Sequence, residues 1–302
     1  MSLTSYPEGV APLTSRRAME TPIIREIGLS DLREALRLGW EDFKAIPSHA
    51  IIICLIYPVL GIIMARLVLG YAVLPMLFPL AAGFALLGPF AAIGLYELSR
   101  RRERGETPTV SQAFSVLQSP SFGAMLGLGA ILLTLFFVWL AVAQAIYVAA
   151  FGYTPAATMP DFINRVLTTP EGWFLIIAGC GVGFLFALVA LCVSAVSFPL
   201  MLDRHATIAD AMLTSMRVVA RNPATMACWG LIVAALLVVG SIPMFVGLAV
   251  VIPLLGHATW HLYRRALQPA AEPYREPPHP PKGPRSAVDF PANLFPWSYG
   301  DR

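Results

Sequence analysis

Long apolar stretches dominate the chain and alternate with short polar segments. They run over residues 49–70, 72–98, 122–150, 172–202, 224–242 and 244–262. Each stretch approaches or exceeds the roughly 20 residues that a helix needs to cross the hydrocarbon core of a bilayer. The pattern predicts an all-α membrane protein with six transmembrane helices, in which very short links join the first two and the last two.

Three polar segments of the chain, each ending near a proline, resemble one another and predict amphipathic helices over residues 31–46, 109–118 and 207–221. Each begins with a capping residue and a polar partner three residues later, which is the spacing of a capping box. The pairs are Asp31 with Glu34, Thr109 with Gln112, and Thr207 with Asp210. We therefore expect three pseudo-repeated hairpins, each preceded by an amphipathic elbow helix at the membrane surface.

The first elbow helix has a distinct apolar face. Leu32, Leu36, Trp40 and Phe43 recur at helical spacing, whereas charged residues occupy the intervening positions. Such a helix is predicted to lie in the headgroup plane with its apolar face toward the lipid.

Positive charge is distributed very unevenly about the six predicted spans. All but two of the 21 lysine and arginine residues fall in the two terminal segments and in the links after the second and fourth spans. The exceptions are Arg66 and Arg165. Because cytoplasmic segments carry the excess of positive charge, both termini and all three elbow helices are expected in the cytoplasm of a bacterial inner-membrane, multi-pass protein.

Composition agrees with this class and divides the chain into three parts. Hydrophobic residues make up 57% of the chain and charged residues 13%, against about 25% charged in soluble domains. The net charge of +3 is too small to indicate nucleic-acid binding. We expect a disordered segment over residues 1–25, a membrane domain over 26–267 and a proline-rich cytoplasmic tail over 268–302.

The end of the tail carries several aromatic residues. A solvated disordered segment rarely retains so many, so this part of the tail is predicted to dock onto the elbow helices or onto a partner subunit. The candidate docking residues are Phe290, Phe295, Trp297 and Tyr299.

Two histidines near the end of the sixth span are candidate metal ligands. His257 and His261 are four residues apart and therefore share one helical face, and neutral imidazole binds zinc, copper and haem iron. The alternative interpretation is a lipid–water boundary, where Trp260 and Tyr263 form an aromatic belt. On that interpretation, which we favour, no cofactor is expected.

The ends of the second and fourth spans carry a predicted interfacial polar cluster of Glu97, Asp203 and Arg204. Glu97 either relays protons or pairs with Arg100 or Arg101, three and four residues later. No ionisable residue lies near the middle of a predicted span, which argues against an ion-coupled transporter. Close helix packing is expected at the Gly123-x-x-x-Gly127 spacing.

The stretches GPFAAIGLYELSRRRERGE, SFPLMLDRHATIADAMLTSMRVVARNP and PLLGHATWHLYRRAL resemble an uncharacterised bacterial integral-membrane family over about residues 25–267. Some members of that family are labelled as cytochrome c oxidase subunits. The chain has five histidines, too few for a haem–copper catalytic subunit, so the resemblance implies at most an accessory subunit.

Together these observations favour a non-enzymatic membrane subunit or scaffold, such as an accessory component of a respiratory complex. Its expected partners are membrane lipids and other membrane subunits. The alternative is a small-molecule or lipid transporter or channel, with a cavity between the spans that contain Pro89, Pro199 and Pro253.

Overall fold

A computed structural model describes residues 22–45, Pro79, 92–153, 158–243 and 245–269. Within these ranges the regular structure is helical, apart from one isolated antiparallel bridge. The helices are α1 (Leu29–Ala45), α2 (Ile93–Glu103), α3 (Val110–Ala113), a 3₁₀ turn (Phe114–Gln118), α4 (Phe122–Phe151), α5 (Met159–Thr168), α6 (Pro170–Ser194), α7 (Ser197–Arg204), α8 (Ile208–Arg221), α9 (Pro223–Ser241) and α10 (Leu248–Ala266).

Three apolar segments of the described chain are long enough to cross a membrane. They are α4, the stretch Pro170–Arg204 that comprises α6 and α7, and α9. They coincide with the predicted spans over 122–150, 172–202 and 224–242. The span over 49–70 and most of the span over 72–98 lie outside the described residues. α10 forms where the sixth span was predicted. Its last turns carry His261, Arg264 and Arg265, and it is not among the segments that are both long and apolar enough to cross a membrane.

Helix starts follow the local sequence. Thr169 and Thr207 cap α6 and α8 by accepting hydrogen bonds from the backbone N–H groups of Gly172 and Asp210, at 3.0 Å and 3.2 Å. The side chain of Gln112 accepts a hydrogen bond from the Thr109 N–H at 2.8 Å. The capping pairs predicted for the second and third elbow segments are therefore confirmed.

The cap predicted for the first elbow segment is wrong. α1 begins at Leu29, and Asp31 lies in its first turn rather than before it. The Asp31 carboxylate accepts a hydrogen bond from the Gly28 N–H at 2.9 Å, while Glu34 pairs with Arg37. Asp31 thus takes the third-residue role of a capping box, and the cap lies three residues earlier than predicted, at Gly28.

The most extensive helix contact among the described residues joins α1 to α10, at opposite ends of the sequence. The face of α1 that is buried carries Leu32, Ala35, Gly39, Asp42 and Phe43. This face is rotated from the predicted apolar stripe, because Trp40 remains 42% exposed and stacks on Phe43. Protein, rather than lipid, therefore covers this side of α1.

A small residue permits the close approach of α1 and α10. A Cβ atom built on Gly39 would lie 2.6 Å from the backbone nitrogen of Ala258 and 2.8 Å from its Cα. By contrast, no described residue outside its own helix lies within 4 Å of a Cβ atom built on Gly123, whereas one built on Gly127 would meet the side chain of Ile208. The glycine spacing that predicted close packing in α4 thus fails at Gly123 and holds at Gly127.

The spanning helices leave much of their apolar surface uncovered. In the most apolar 18-residue stretch of Pro170–Arg204, only 6% of the residues are buried. Ile177 and Phe184 on α6 are 70% and 65% exposed. Large apolar surfaces of this kind are typical of contact with lipid or with another protein.

Residues before α1 run alongside the end of α10. The Arg25 N–H donates to the Ala266 carbonyl at 2.8 Å, and the Gln268 N–H donates to the Ile23 carbonyl at 3.0 Å. Buried Asn222, between α8 and α9, accepts from the Ile27 N–H at 2.9 Å and donates to the Arg25 carbonyl at 3.2 Å. One amide side chain therefore fixes this segment to the helices.

Replacing Asn222 with alanine is expected to loosen the segment, because buried backbone groups lose their partners at a cost of about 1–3 kcal/mol. The measurement is the rate of tryptic cleavage after Arg25 in the detergent-solubilised protein, which should rise. Asn164→Ala, at an exposed position of α5, is the control and should leave the rate unchanged. Equal rates for both variants would contradict the assigned role.

Candidate functional site

Five polar side chains from α1, α2 and α10 form a network, here called the Asp42 network. Asp42 is its centre and is only 6% exposed. Its Oδ1 accepts a hydrogen bond from Arg102 Nη1 at 2.7 Å, and its Oδ2 accepts from Ser99 Oγ at 2.6 Å. His261 Nε2 lies 2.8 Å from the same Oδ2, and His257 Nδ1 lies 2.7 Å from Ser99 Oγ.

The sequence positions this network through helical spacing. Gly39 brings α1 against α10, so that Asp42, three residues later on the same face, reaches His261 directly and His257 through Ser99. His257 and His261 lie one turn apart on α10, and Ser99 and Arg102 lie one turn apart on α2. The predicted common face of the two histidines is thus used to contact a carboxylate and a hydroxyl group.

Asp42 is ionised at neutral pH. Burial raises the pKa of this carboxyl group, but the hydrogen bonds from His261 and Ser99 lower it further, and the pKa lies below its ordinary value. The ion pair with Arg102 also requires the charged form. The centre of the network is therefore a buried negative charge with hydrogen-bond donors on both oxygens.

The hydrogen-bond pattern also assigns the protonation of His257. The single hydroxyl hydrogen of Ser99 is donated to Asp42, so the Ser99 oxygen must accept from Nδ1–H of His257. The buried Nε2 of His257 has no hydrogen-bond partner among the described residues. A neutral imidazole with its proton on Nδ1 fits this environment, because protonated Nε2 would be a buried donor without an acceptor.

A second set of contacts extends the network along the last turns of α10. Glu103 of α2 accepts hydrogen bonds from Trp260 Nε1 at 3.0 Å and from Arg264 Nε at 2.9 Å. Tyr263 donates to Asp203 at 2.7 Å and accepts from Arg204 Nε at 3.3 Å. α10 is therefore held by polar contacts to α1, α2 and α7.

The predicted interfacial cluster is divided between two places. Glu97, 1% exposed, pairs with Arg101 at 2.7 Å and with Arg100 at 2.5 Å, which confirms the pairing three and four residues later. The contact with Arg100 is an ion pair without a hydrogen bond to Glu97 Oε2. Arg100 Nη1 also donates to the Leu202 carbonyl at 3.0 Å. Asp203 and Arg204 instead meet at Tyr263.

The metal-site hypothesis for His257 and His261 finds no further ligands. Within the described ranges, no group of three or more His, Cys, Asp or Glu side chains is placed to hold a metal ion. His261 Nε2 already faces Asp42, and His257 Nδ1 faces Ser99. The pair therefore takes part in hydrogen bonding within the protein. The predicted docking residues Phe290, Phe295, Trp297 and Tyr299 lie outside the described residues.

Sequence analysis missed Asp42, Ser99 and Arg102. Asp42 belongs to a helix with many charged residues, where a carboxylate is ordinarily solvated. A usable signal was its position on the stripe with Ala35 and Gly39, since small residues at this spacing mark a face that another helix approaches.

An open cleft of about 550 Å³ lies beside the Asp42 network. α1, α2, α10 and the segment before α1 line it. Its charged side chains are Arg25, Arg102, Arg264, Arg265, Glu41, Asp42 and Glu103, with His261 at the edge shared with the network.

Residues 76–203 match the model of a family described as a predicted integral membrane protein (DUF2189). The match confirms the resemblance to an uncharacterised membrane family and covers α2 to the penultimate residue of α7. It lends no support to the cytochrome oxidase label. No curated protein and no solved structure matches the chain.

Proposed function

Because the chain matches a predicted integral membrane family over residues 76–203, we propose that it is a non-enzymatic subunit or scaffold of a membrane complex. The proposed location is the bacterial inner membrane. The proposed partner is a respiratory complex of the cytochrome oxidase type, as the labels within the resembling family suggest.

The proposed topology has six spans in three hairpins, each preceded by an elbow helix, with both termini in the cytoplasm. Three long apolar segments and the short link between α9 and α10 support it. Pro223 is the first residue of α9, directly after the elbow helix α8. Proline is favoured at this position because its missing N–H would have no partner within the helix.

The observation that carries the proposal is that the polar side chains of the Asp42 network form hydrogen bonds with one another. Ser99, His257 and Asp42 are the residue types of a hydrolytic triad, but the serine lies between the other two and is 1% exposed. A nucleophilic serine must instead be free to attack a substrate while a histidine takes its proton. This order and burial support a structural role for the network.

The helix break between α6 and α7 also favours the function of a scaffold rather than that of a channel. Breaks in spanning helices form transport sites when the freed backbone groups face a cavity. Here the hydroxyl groups of Ser194 and Ser197 donate to the Ala190 and Val193 carbonyls, at 2.7 Å and 2.5 Å. The single hydroxyl hydrogen of Ser197 is shared with the Ala211 carbonyl of α8, 3.1 Å from Oγ, so the protein itself occupies these groups.

The test is purification of the full chain from native membranes in a mild detergent, with quantification of co-purifying membrane proteins. We propose that the aromatic end of the tail binds the partner. The double variant Phe295→Ser/Trp297→Ser should therefore lose the co-purifying subunits. Tyr274→Ser, an aromatic substitution in the proline-rich spacer, is the matched control and should retain them.

Two results would count against this function. A wild-type chain that purifies alone, without stoichiometric partners, would contradict the subunit role. Solute flux through vesicles containing the purified chain would favour the transporter instead. Retention of partners by the double variant would reject only the role of the tail.

A further inference from the structure

The cleft beside the Asp42 network has a surplus of hydrogen-bond donors. Four arginines and three carboxylates line it. Each guanidinium group carries five N–H donors and no acceptor. The identity of a fitting ligand depends on how many of these donors and acceptors the protein already uses.

Five of the six carboxylate oxygens of the cleft are already engaged by described residues, the exception being Oε2 of Glu41. Both oxygens of Asp42 accept hydrogen bonds from Arg102, Ser99 or His261, and both oxygens of Glu103 accept from Arg264 or Trp260. Glu41 pairs with Arg37, which does not line the cleft. A cation entering the cleft would have to displace these protein donors.

The arginines retain most of their donors. Arg102 uses Nη1 for Asp42, and Arg265 uses Nη1 for Asp31 at 2.7 Å, with a longer ion pair from Nη2 to Glu34 at 3.6 Å. Arg264 uses Nε for Glu103, with a longer ion pair from Nη1 to Asp203 at 3.5 Å. Each guanidinium group is therefore anchored through part of its surface and keeps further N–H groups for another acceptor.

Arg25 has the largest surplus. Its side chain makes no hydrogen bond or ion pair with the residues that the structure describes, although its positive charge helps to lower the pKa of Asp31. Its backbone is held by the Ala266 carbonyl at 2.8 Å and by Asn222. A fixed backbone and an uncommitted guanidinium group at the cleft are suited to an incoming anion.

We propose that this cleft binds a phosphate-bearing anion. A phosphate group offers several acceptor oxygens and matches the planar, two-donor edge of guanidinium groups. The same chemistry is supplied by the headgroup of an anionic lipid and by a soluble phosphate compound. The site involves Arg264 and Arg265 at the end of α10, with Arg25 and Arg102 from the segments packed against it.

The experiment uses the delipidated full chain in a nonionic detergent. Phosphatidylglycerol and phosphatidylcholine are titrated in one arm, with bound lipid counted by native mass spectrometry. Inorganic pyrophosphate is titrated in the other arm by calorimetry. The test variant is Arg25→Gln, and the matched control is Arg33→Gln, which removes the same charge from an exposed position of α1 outside the cleft.

We expect Arg25→Gln to weaken binding about tenfold, the loss of one charge-assisted hydrogen bond, while Arg33→Gln binds as the wild type does. An effect in the phosphatidylglycerol arm assigns the site to a lipid headgroup. An effect confined to pyrophosphate assigns it to a soluble anion. Binding to neither probe, or equal affinities of both variants and the wild type, would overturn the proposal.

Discussion

Replacing Asp42 with asparagine is expected to lower the free energy of unfolding by about 1–3 kcal/mol, the usual cost of leaving buried hydrogen-bonding groups without their partners. The substitution keeps the shape of the side chain but removes the charge that holds Arg102 and His261. The new amide N–H group would also face donors instead of acceptors. Denaturant titration of the purified protein in detergent micelles measures the loss.

The neighbouring residue provides a matched control. Glu41→Gln makes the same chemical change one position earlier on α1, where the side chain is 41% exposed and pairs with Arg37. Exposed pairs contribute at most about 1 kcal/mol. If the two amide variants lose equal stability, the Asp42 network does not hold α1, α2 and α10 together.

Replacing Gly39 with alanine is expected to cost about 1–3 kcal/mol, because one added methyl group overlaps the backbone of α10. The obstructing atoms are the backbone nitrogen and Cα of Ala258, which cannot turn aside as a side chain can. α1 must then move outward, and the hydrogen bond between Asp42 and His261 lengthens. Thermal unfolding in detergent measures this loss.

Gly179→Ala is the matched control for this second substitution. Gly179 lies inside α6, and no atom of the described part of the chain outside that helix comes within 4 Å of its Cβ position. Alanine favours helix over glycine by roughly 0.5–1 kcal/mol, so this variant should be neutral or slightly more stable. A destabilisation equal to that of Gly39→Ala would show that general helix effects, rather than the contact with Ala258, account for the loss.

Local signals in the sequence predicted local features well. Thr109 and Thr207 start helices where their spacing to a polar partner predicted, and Glu97 pairs within its own helix. Hydrophobic length alone located α4, α6 and α9. These features depend on residues within a few turns of one another, so a single sequence contains the necessary information.

The site required information that no local pattern holds. Asp42 and His261 are 219 positions apart, and their contact depends on which face of α1 meets α10. Periodicity placed Trp40 at the centre of an apolar face turned toward the lipid and gave no sign of a protein interface, whereas the close approach at Gly39 places that interface on the face with Asp42. The first cap was misplaced because Gly28, which has no capping side chain, precedes the helix and Asp31 reaches back to it.

The pairing of α1 with α10 has a consequence for synthesis at the ribosome. The first described helix to be synthesised, α1, packs mainly against the last, α10. The contact between Asp42 and His261 can therefore form only after 219 further residues have been translated. Contacts of such high contact order form late and slowly. A nascent chain that stops before α10 would leave the polar groups of Asp42 and Ser99 without their histidine partners.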